Sequence, residues 1–197
     1  MYLHKASTEI TIGSKFVFTD FPSLMNKHLI KFPGVSKLED MATALILKGF
    51  SFPEMENYIR SVCRWGNFAG VGGRVIKNNT RKQIQNAFVD AYAHLNTSSP
   101  NVSAALSSLN QLHGLGTPSF ASKHLRFLNP DICPVYDSIL TDKLPYSFSP
   151  TGYSEFSVDC QEIARLLNAA KIANPARTTQ SWLAADVEAA MFACFYL

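Results

Sequence analysis

Several residues of this 197-residue chain have types and spacings that can do chemistry. They are the Gly114-Leu115-Gly116 pair with Thr117-Pro118 behind it, a lysine at 123 and an aspartate at 137. Glycines at 114 and 116 permit positive φ and so a tight hairpin. Thr117 suits an N-cap and Pro118 a first helical position, opening a helix that runs to about Leu128. A helix start of this kind leaves backbone N–H groups free and, with the helix dipole, makes a site for a phosphate anion. Asp137 supplies a carboxylate downstream of that helix and is suited to cap a short helix beginning at Ser138. Gly-x-Gly alone also fits an ordinary αα-hairpin.

The elements that must hold these groups read as helices. Leu38, Met41, Leu45 and Ile46 recur at three- and four-residue spacings between Val35 and Gly49. Pro53 opens a helix carrying Met55, Tyr58, Ile59, Val62 and Cys63, which Gly66 ends. Asn67–Val75 reads as a glycine-rich loop. Asn79 or Thr80 caps a helix bearing Ile84, Phe88, Tyr92 and Leu95, and Asn101–Gln111 carries Val102, Leu106 and Leu109 on one face. Pro145–Gly152 reads as loop, followed by helices near Phe156–Ile172 and Ser181–Tyr196. Strand signals are confined to weak alternation in Glu9–Phe18. The expectation is an all-α fold: one domain over residues 1–197, a compact bundle of roughly eight helices, built as a single body or as two helical lobes with a cleft between them. The helix-hairpin-helix lies near residues 101–128.

Composition sets the outer limits. Hydrophobic residues make up 47% and charged residues 17%, enough apolar material for a core. No apolar run approaches the roughly 20 residues that span a bilayer, and the N-terminus has no signal-peptide pattern. The expectation is a cytoplasmic, membrane-free monomer. The net charge of +3 and a pI near 8.7 exclude nucleic-acid binding by bulk charge alone. Cys63, Cys133, Cys160 and Cys194 lack metal-ligand spacing and read as reduced, mostly buried thiols; no metal or organic cofactor is expected.

Downstream of the hairpin, Lys123-His124-Leu125-Arg126-Phe127-Leu128 leads into Asn129-Pro130-Asp131 and then Pro134-Val135-Tyr136-Asp137. The order of glycine hairpin, helix, turn and aspartate resembles the helix-hairpin-helix DNA glycosylases of base-excision repair. Asp137 stands 137 − 116 = 21 positions after Gly116, an offset that matches the 8-oxoguanine DNA glycosylase branch. Cys63-Arg64-Trp65-Gly66, Gly72-Gly73-Arg74-Val75 with Lys77-Asn78-Asn79, and Trp182 with Ala185-Asp186-Val187-Glu188 look similar to small bacterial proteins of that type. The resemblance covers the chain from about Tyr58 onward.

The resemblance implies an enzyme that flips a damaged or modified base out of double-stranded DNA and hydrolyses its N-glycosidic bond. Asp137 takes the place of the catalytic aspartate. His113, Gly114, Gly116 and Thr117 would hold the DNA backbone. Bifunctional members carry a nucleophilic lysine two positions after the second glycine, where this chain has Pro118, and that departure implies a monofunctional enzyme. Five helical steps of about 100° turn Lys123 roughly 140° from position 118, toward solvent or a backbone phosphate. Ser122 stays near the 118 face and, with Trp65 and Tyr136, is a candidate for the base pocket. Arg74 and Lys77 form a basic patch able to meet phosphates. Asp186 and Glu188 lie on an apolar helix, where Asp186 either pairs with a core cation or supports the site. The sequence does not name the base. An 8-oxoguanine-like lesion implies repair, and a hypermodified phage base implies antiviral defence. The alternative function is a non-catalytic DNA-binding or lesion-reading module. A third reading is a helical interaction protein unrelated to DNA.

Overall fold

The structure is a computed structural model that describes residues 2–3, 10–12, 16–116 and 118–197. Thr117, expected to cap the second hairpin helix, lies outside the described residues. A three-stranded antiparallel meander comes first: β1 Tyr2–Leu3, β2 Ile10–Ile12 and β3 Phe16–Phe18. The weak alternation of Glu9–Phe18 therefore resolves into two of these strands. Ile10, Ile12 and Phe18 are buried.

Ten helices follow among the described residues, two more than the sequence suggested: α1 Phe21–Lys31, α2 Val35–Leu47, α3 Phe52–Trp65, α4 Ala69–Asn78, α5 Arg81–Leu95, α6 Val102–Asn110, α7 Ser119–Leu128, α8 Ser138–Thr141, α9 Pro150–Ala169 and α10 Ala184–Tyr196. Most begin on readable signals. Asp20 accepts from Ser23 N–H at the start of α1, and Thr80 with Gln83 makes a capping box for α5. Asn101 caps α6, and Ser149 caps α9, which starts at Pro150 rather than near Phe156.

The glycine-rich stretch expected to be a loop is α4. Its glycines serve helix packing: a Cβ on Gly72 would lie 3.1 Å from the Arg60 Cα of α3, so the two helices touch backbone to backbone. Helix α1, not anticipated, buries Phe21, Met25 and His28 on one face and packs against α10. Phe21 meets the buried Trp182 edge-on at 5.9 Å, so Trp182 belongs to the core.

Helix α7 is the centre of the molecule. Every residue from Phe120 to Leu128 is buried, with α2, α3, α5 and α6 packed around it. Its polar residues must then find partners inside. Tyr58 donates to the His124 carbonyl (2.7 Å), and His124 Nδ1 meets the Phe120 carbonyl (2.6 Å). Arg126 reaches Glu39 of α2 (3.4 Å) and lies over the rings of Trp65 and Phe127. Glu39 also binds Arg177, which clamps Asp186 of α10 (2.8 Å). Asp186 is thus the partner of a core cation. No cysteine is in a disulfide; Cys63, Cys133 and Cys160 are buried and Cys194 is exposed. Among the described residues, no helix is long and apolar enough to cross a membrane.

Candidate functional site

The hairpin between α6 and α7 is built as its glycines suggest, with φ +86° at Gly114 and +78° at Gly116. Any larger residue would be strained at either point. Asn79 fixes the turn from outside: its amide donates to the His113 carbonyl (2.9 Å) and its oxygen accepts from His113 N–H (3.0 Å). Among the described residues, the N–H groups of Gly114 and Gly116 donate no hydrogen bond within the protein. The exposed Arg74 lies under the turn, its Cβ 3.0 Å from where a Gly114 Cβ would stand. Lys77, one turn further along α4, is also exposed. The hairpin and the basic patch, far apart in sequence, therefore form one surface with His113. The second hairpin helix starts at Ser119, with Pro118 in the cap position instead of the first turn.

Behind the hairpin lies a cleft of about 260 Å³. The end of α3, the start of α7, the extended 135–137 segment, the start of α8, α1 and α10 line it. Much of its wall is aromatic. Phe32 stands 6.1 Å from Trp65 and 5.7 Å from Phe192, and Phe192 packs on Tyr196 at 5.1 Å. Phe68 projects at the mouth, 67% exposed, edge-on to Phe120. Trp65 lines this cleft.

Five ionisable side chains line this cleft: His28, Lys123, Asp137, Glu188 and Tyr196. Asp137 caps α8, its Oδ1 accepting from Leu140 N–H (3.3 Å). Its Oδ2 lies 3.6 Å from Lys123 Nζ. The capping role foreseen for Asp137 is therefore real, and it leaves the second oxygen on the cleft side.

Lys123 corrects the expectation of a solvated or phosphate-facing lysine. It is 8% exposed, and its Nζ donates to Ser119 Oγ (2.9 Å). The face of α7 turned to the cleft carries Ser119, Phe120 and Lys123, not position 118, so residues 119 and 123 stack one turn apart. The lysine stem runs over Gly66, where a Cβ would sit 3.0 Å from Lys123 Cδ. Burial lowers the lysine's pKa against the opposing pull of Asp137 and Glu188.

Ser122 and Tyr136 are corrections too. Ser122 is fully buried; its Oγ donates to the Ser119 carbonyl (2.9 Å) and accepts from Tyr136 N–H (2.8 Å). It ties the Asp137-bearing strand to α7 instead of lining the cleft. In that extended segment, side chains alternate. Val135 and Asp137 face the cleft, whereas Tyr136 points away into Tyr153 and Phe156 and donates to the Ser147 carbonyl.

Glu188 and His28 were missed as site residues. Glu188 is 3% exposed, and its Oε2 accepts from Val135 N–H (3.2 Å). Burial, then the nearby charge of Asp137, raise its pKa to about 8; Arg126, Val135 N–H and Lys123 only partly oppose this. Burial and Arg126 push His28 down to about 4, so its imidazole is neutral. His28 Nδ1 and Trp65 Nε1, both buried, have no hydrogen-bond partner among the described residues. A signal for Glu188 existed: an acid inside a helix as apolar as 184–193 has no solvated face to occupy. His28 carried no such signal.

Comparison with known proteins finds no matching family model, no matching curated protein and no matching solved structure.

Proposed function

We propose that this protein is a DNA glycosylase of the helix-hairpin-helix kind, which draws an extruded base into the cleft and cleaves its N-glycosidic bond. The observation that carries the reading is the position of Asp137: a carboxylate on the wall of an aromatic-lined cleft, directly behind a positive-φ glycine hairpin. A flipped base would stack among Trp65, Phe32 and Phe192, leaving its sugar at the mouth. Asp137 then meets the positive charge that grows on the sugar as the bond breaks, and positions the attacking water. The free N–H groups of Gly114 and Gly116, with His113, Arg74 and Lys77, would hold backbone phosphates flanking the flipped nucleotide. The chemistry uses no cofactor.

The test is a panel of duplexes, each carrying one modified base, read out as abasic-site formation. At least one duplex should be processed, and Asp137→Asn should lose base release while keeping duplex binding. Release from no duplex, or unaltered turnover by the Asn variant, overturns the proposal. Binding without release would identify a lesion reader.

One observation favours a second reading, in which the enzyme is also a lyase. Lys123 is buried in the cleft with a lowered pKa, 3.6 Å from Asp137. A neutral amine there would attack the sugar carbon that loses the base. Borohydride added to the same duplexes separates the readings: hydrolysis by water leaves no adduct, whereas amine attack leaves a covalent complex mapping to Lys123.

A further inference from the structure

Breaking a glycosidic bond places charge at both ends. Asp137 serves the sugar. The departing base takes the bonding electron pair, and a neutral base leaves slowly unless it receives a proton at the same time. The cleft holds few groups able to give one. His28 is neutral at physiological pH, and its pKa near 4 makes the imidazolium too scarce to serve. Lys123 is engaged by Ser119 Oγ and by the carboxylate of Asp137. Glu188 remains. Its Oε2 is fixed by Val135 N–H, and its Oε1 accepts no hydrogen bond from the protein among the described residues. Val135 belongs to the same extended segment as Asp137, so one short strand sets the spacing of the two carboxyl groups. They share one cleft with different surroundings: Asp137 faces Lys123 Nζ at 3.6 Å and Glu188 is buried on an apolar helix.

We propose that Glu188 is the general acid of this cleft, delivering its carboxyl proton to an acceptor atom of the extruded base as the C1′–N bond breaks. The inference rests on the glycosylase reading above and deepens it. The electron pair of the C1′–N bond passes to the base, and the Glu188 O–H proton neutralises it there. Water supplies a hydroxyl to C1′, and its remaining proton returns to the Glu188 carboxylate. The cycle consumes one water and no other reagent. The division of labour follows a general rule for paired carboxyls, in which surroundings hold one as the acid and the other as the anion. Burial and Asp137 keep the Glu188 proton in place up to about pH 8. The groups within electrostatic reach are Lys123 and Arg126 of α7, which oppose that effect, Asp137 ahead of α8, and Tyr153 and Cys160 of α9, both held neutral by burial. His28 of α1, which shares the cleft, is neutral as well. The assignment also names a substrate class: neutral bases with a ring nitrogen or carbonyl oxygen to protonate. A base alkylated to a cation already carries the charge and needs no acid.

The experiment is single-turnover base release across pH 6–10, comparing the wild type with Glu188→Gln. Its probes are duplexes carrying neutral modified bases, 8-oxoguanine among them, and a matched duplex carrying cationic 7-methylguanine. Glu188→Gln keeps the side chain's shape and an acceptor for Val135 N–H; unchanged circular dichroism and duplex affinity establish that it is folded. On the neutral base that the wild type releases fastest, its rate should fall roughly 10²- to 10⁴-fold. The wild-type decline above about pH 8 should vanish in the variant. Any release of 7-methylguanine should fall less than about tenfold, the remainder expected when no general acid is required. Neutral-base release that Asp137→Asn abolishes but Glu188→Gln leaves unaltered at every pH overturns the Glu188 assignment alone. Release of only the cationic base overturns it too. Absence of release from every duplex removes the glycosylase reading and this inference together.

Discussion

Glu188→Gln should stabilise the protein in alkali, an unusual outcome for a substitution at a buried charged position. In the folded chain Glu188 holds its proton to about pH 8, against 4.5 for a free glutamate. Below pH 4.5 both the folded and the unfolded states are protonated, and the group is neutral toward stability. Above it the unfolded chain ionises while the folded chain does not, so stability is lost as pH rises, by about 1.4 kcal/mol per pH unit. The loss levels off beyond the folded pKa, at a total approaching 5 kcal/mol. Between pH 5 and pH 9 the wild type should lose about 4 kcal/mol through this group. Glutamine has no proton to release and escapes the loss. Lys123 works in the opposite sense over the alkaline range, because its pKa is lowered by burial. The difference between wild type and variant, and not the wild-type curve alone, therefore isolates Glu188. Urea unfolding followed by the fluorescence of Trp65 and Trp182 measures it at both pH values. Curves for the two proteins that stay parallel from pH 5 to pH 9 would refute the reasoning.

Two other perturbations test the frame and the surface. Arg177→Met leaves Glu39 and Asp186 without the cation they share, and should cost about 3–5 kcal/mol of unfolding free energy; a loss below about 0.5 kcal/mol would show the network to be dispensable. Arg74→Ala should weaken duplex binding evenly across sequences and lower the slope of log affinity against log salt by about one. An unchanged slope would remove Arg74 from the interface.

The hairpin was legible because its signals are local. Two glycines needing positive φ, and an aspartate suited to cap the next element, are properties of neighbouring residues. Lys123 was not legible, because helical periodicity gives the angle between two residues and not the direction in which the helix faces. Taking position 118 as the inward face set the lysine outside; the packing of α7 inside α2, α3, α5 and α6 set the 119–123 stripe against the cleft instead. Helix α4 is masked in the sequence for a related reason. Glycine lowers helix propensity, and only the close approach of α3 shows why glycines are needed there. Ser122 lies near the 118 face by helical angle and Tyr136 adjoins Asp137 in sequence, yet a hydroxyl bridge and strand alternation turn both away from the cleft. Glu188 and His28 converge from opposite ends of the chain, and that meeting is purely tertiary.

The pairing of α1 with α10 also constrains the order of events at the ribosome. Helix α1 contributes His28 and Phe32 to the cleft, and α10 contributes Glu188, Phe192 and Tyr196. The hairpin, the basic surface and Asp137 all precede α10 and are translated before it. A nascent chain can therefore present the hairpin and its basic surface while its cleft still lacks a wall and its second carboxyl. Closing the cleft joins segments far apart in sequence, an entropic cost met only when α10 docks. The apolar α10, which buries residues 184–193, is also the element most in need of shelter until then. A chain stalled before α10 would have the hairpin and its basic surface but no finished cleft.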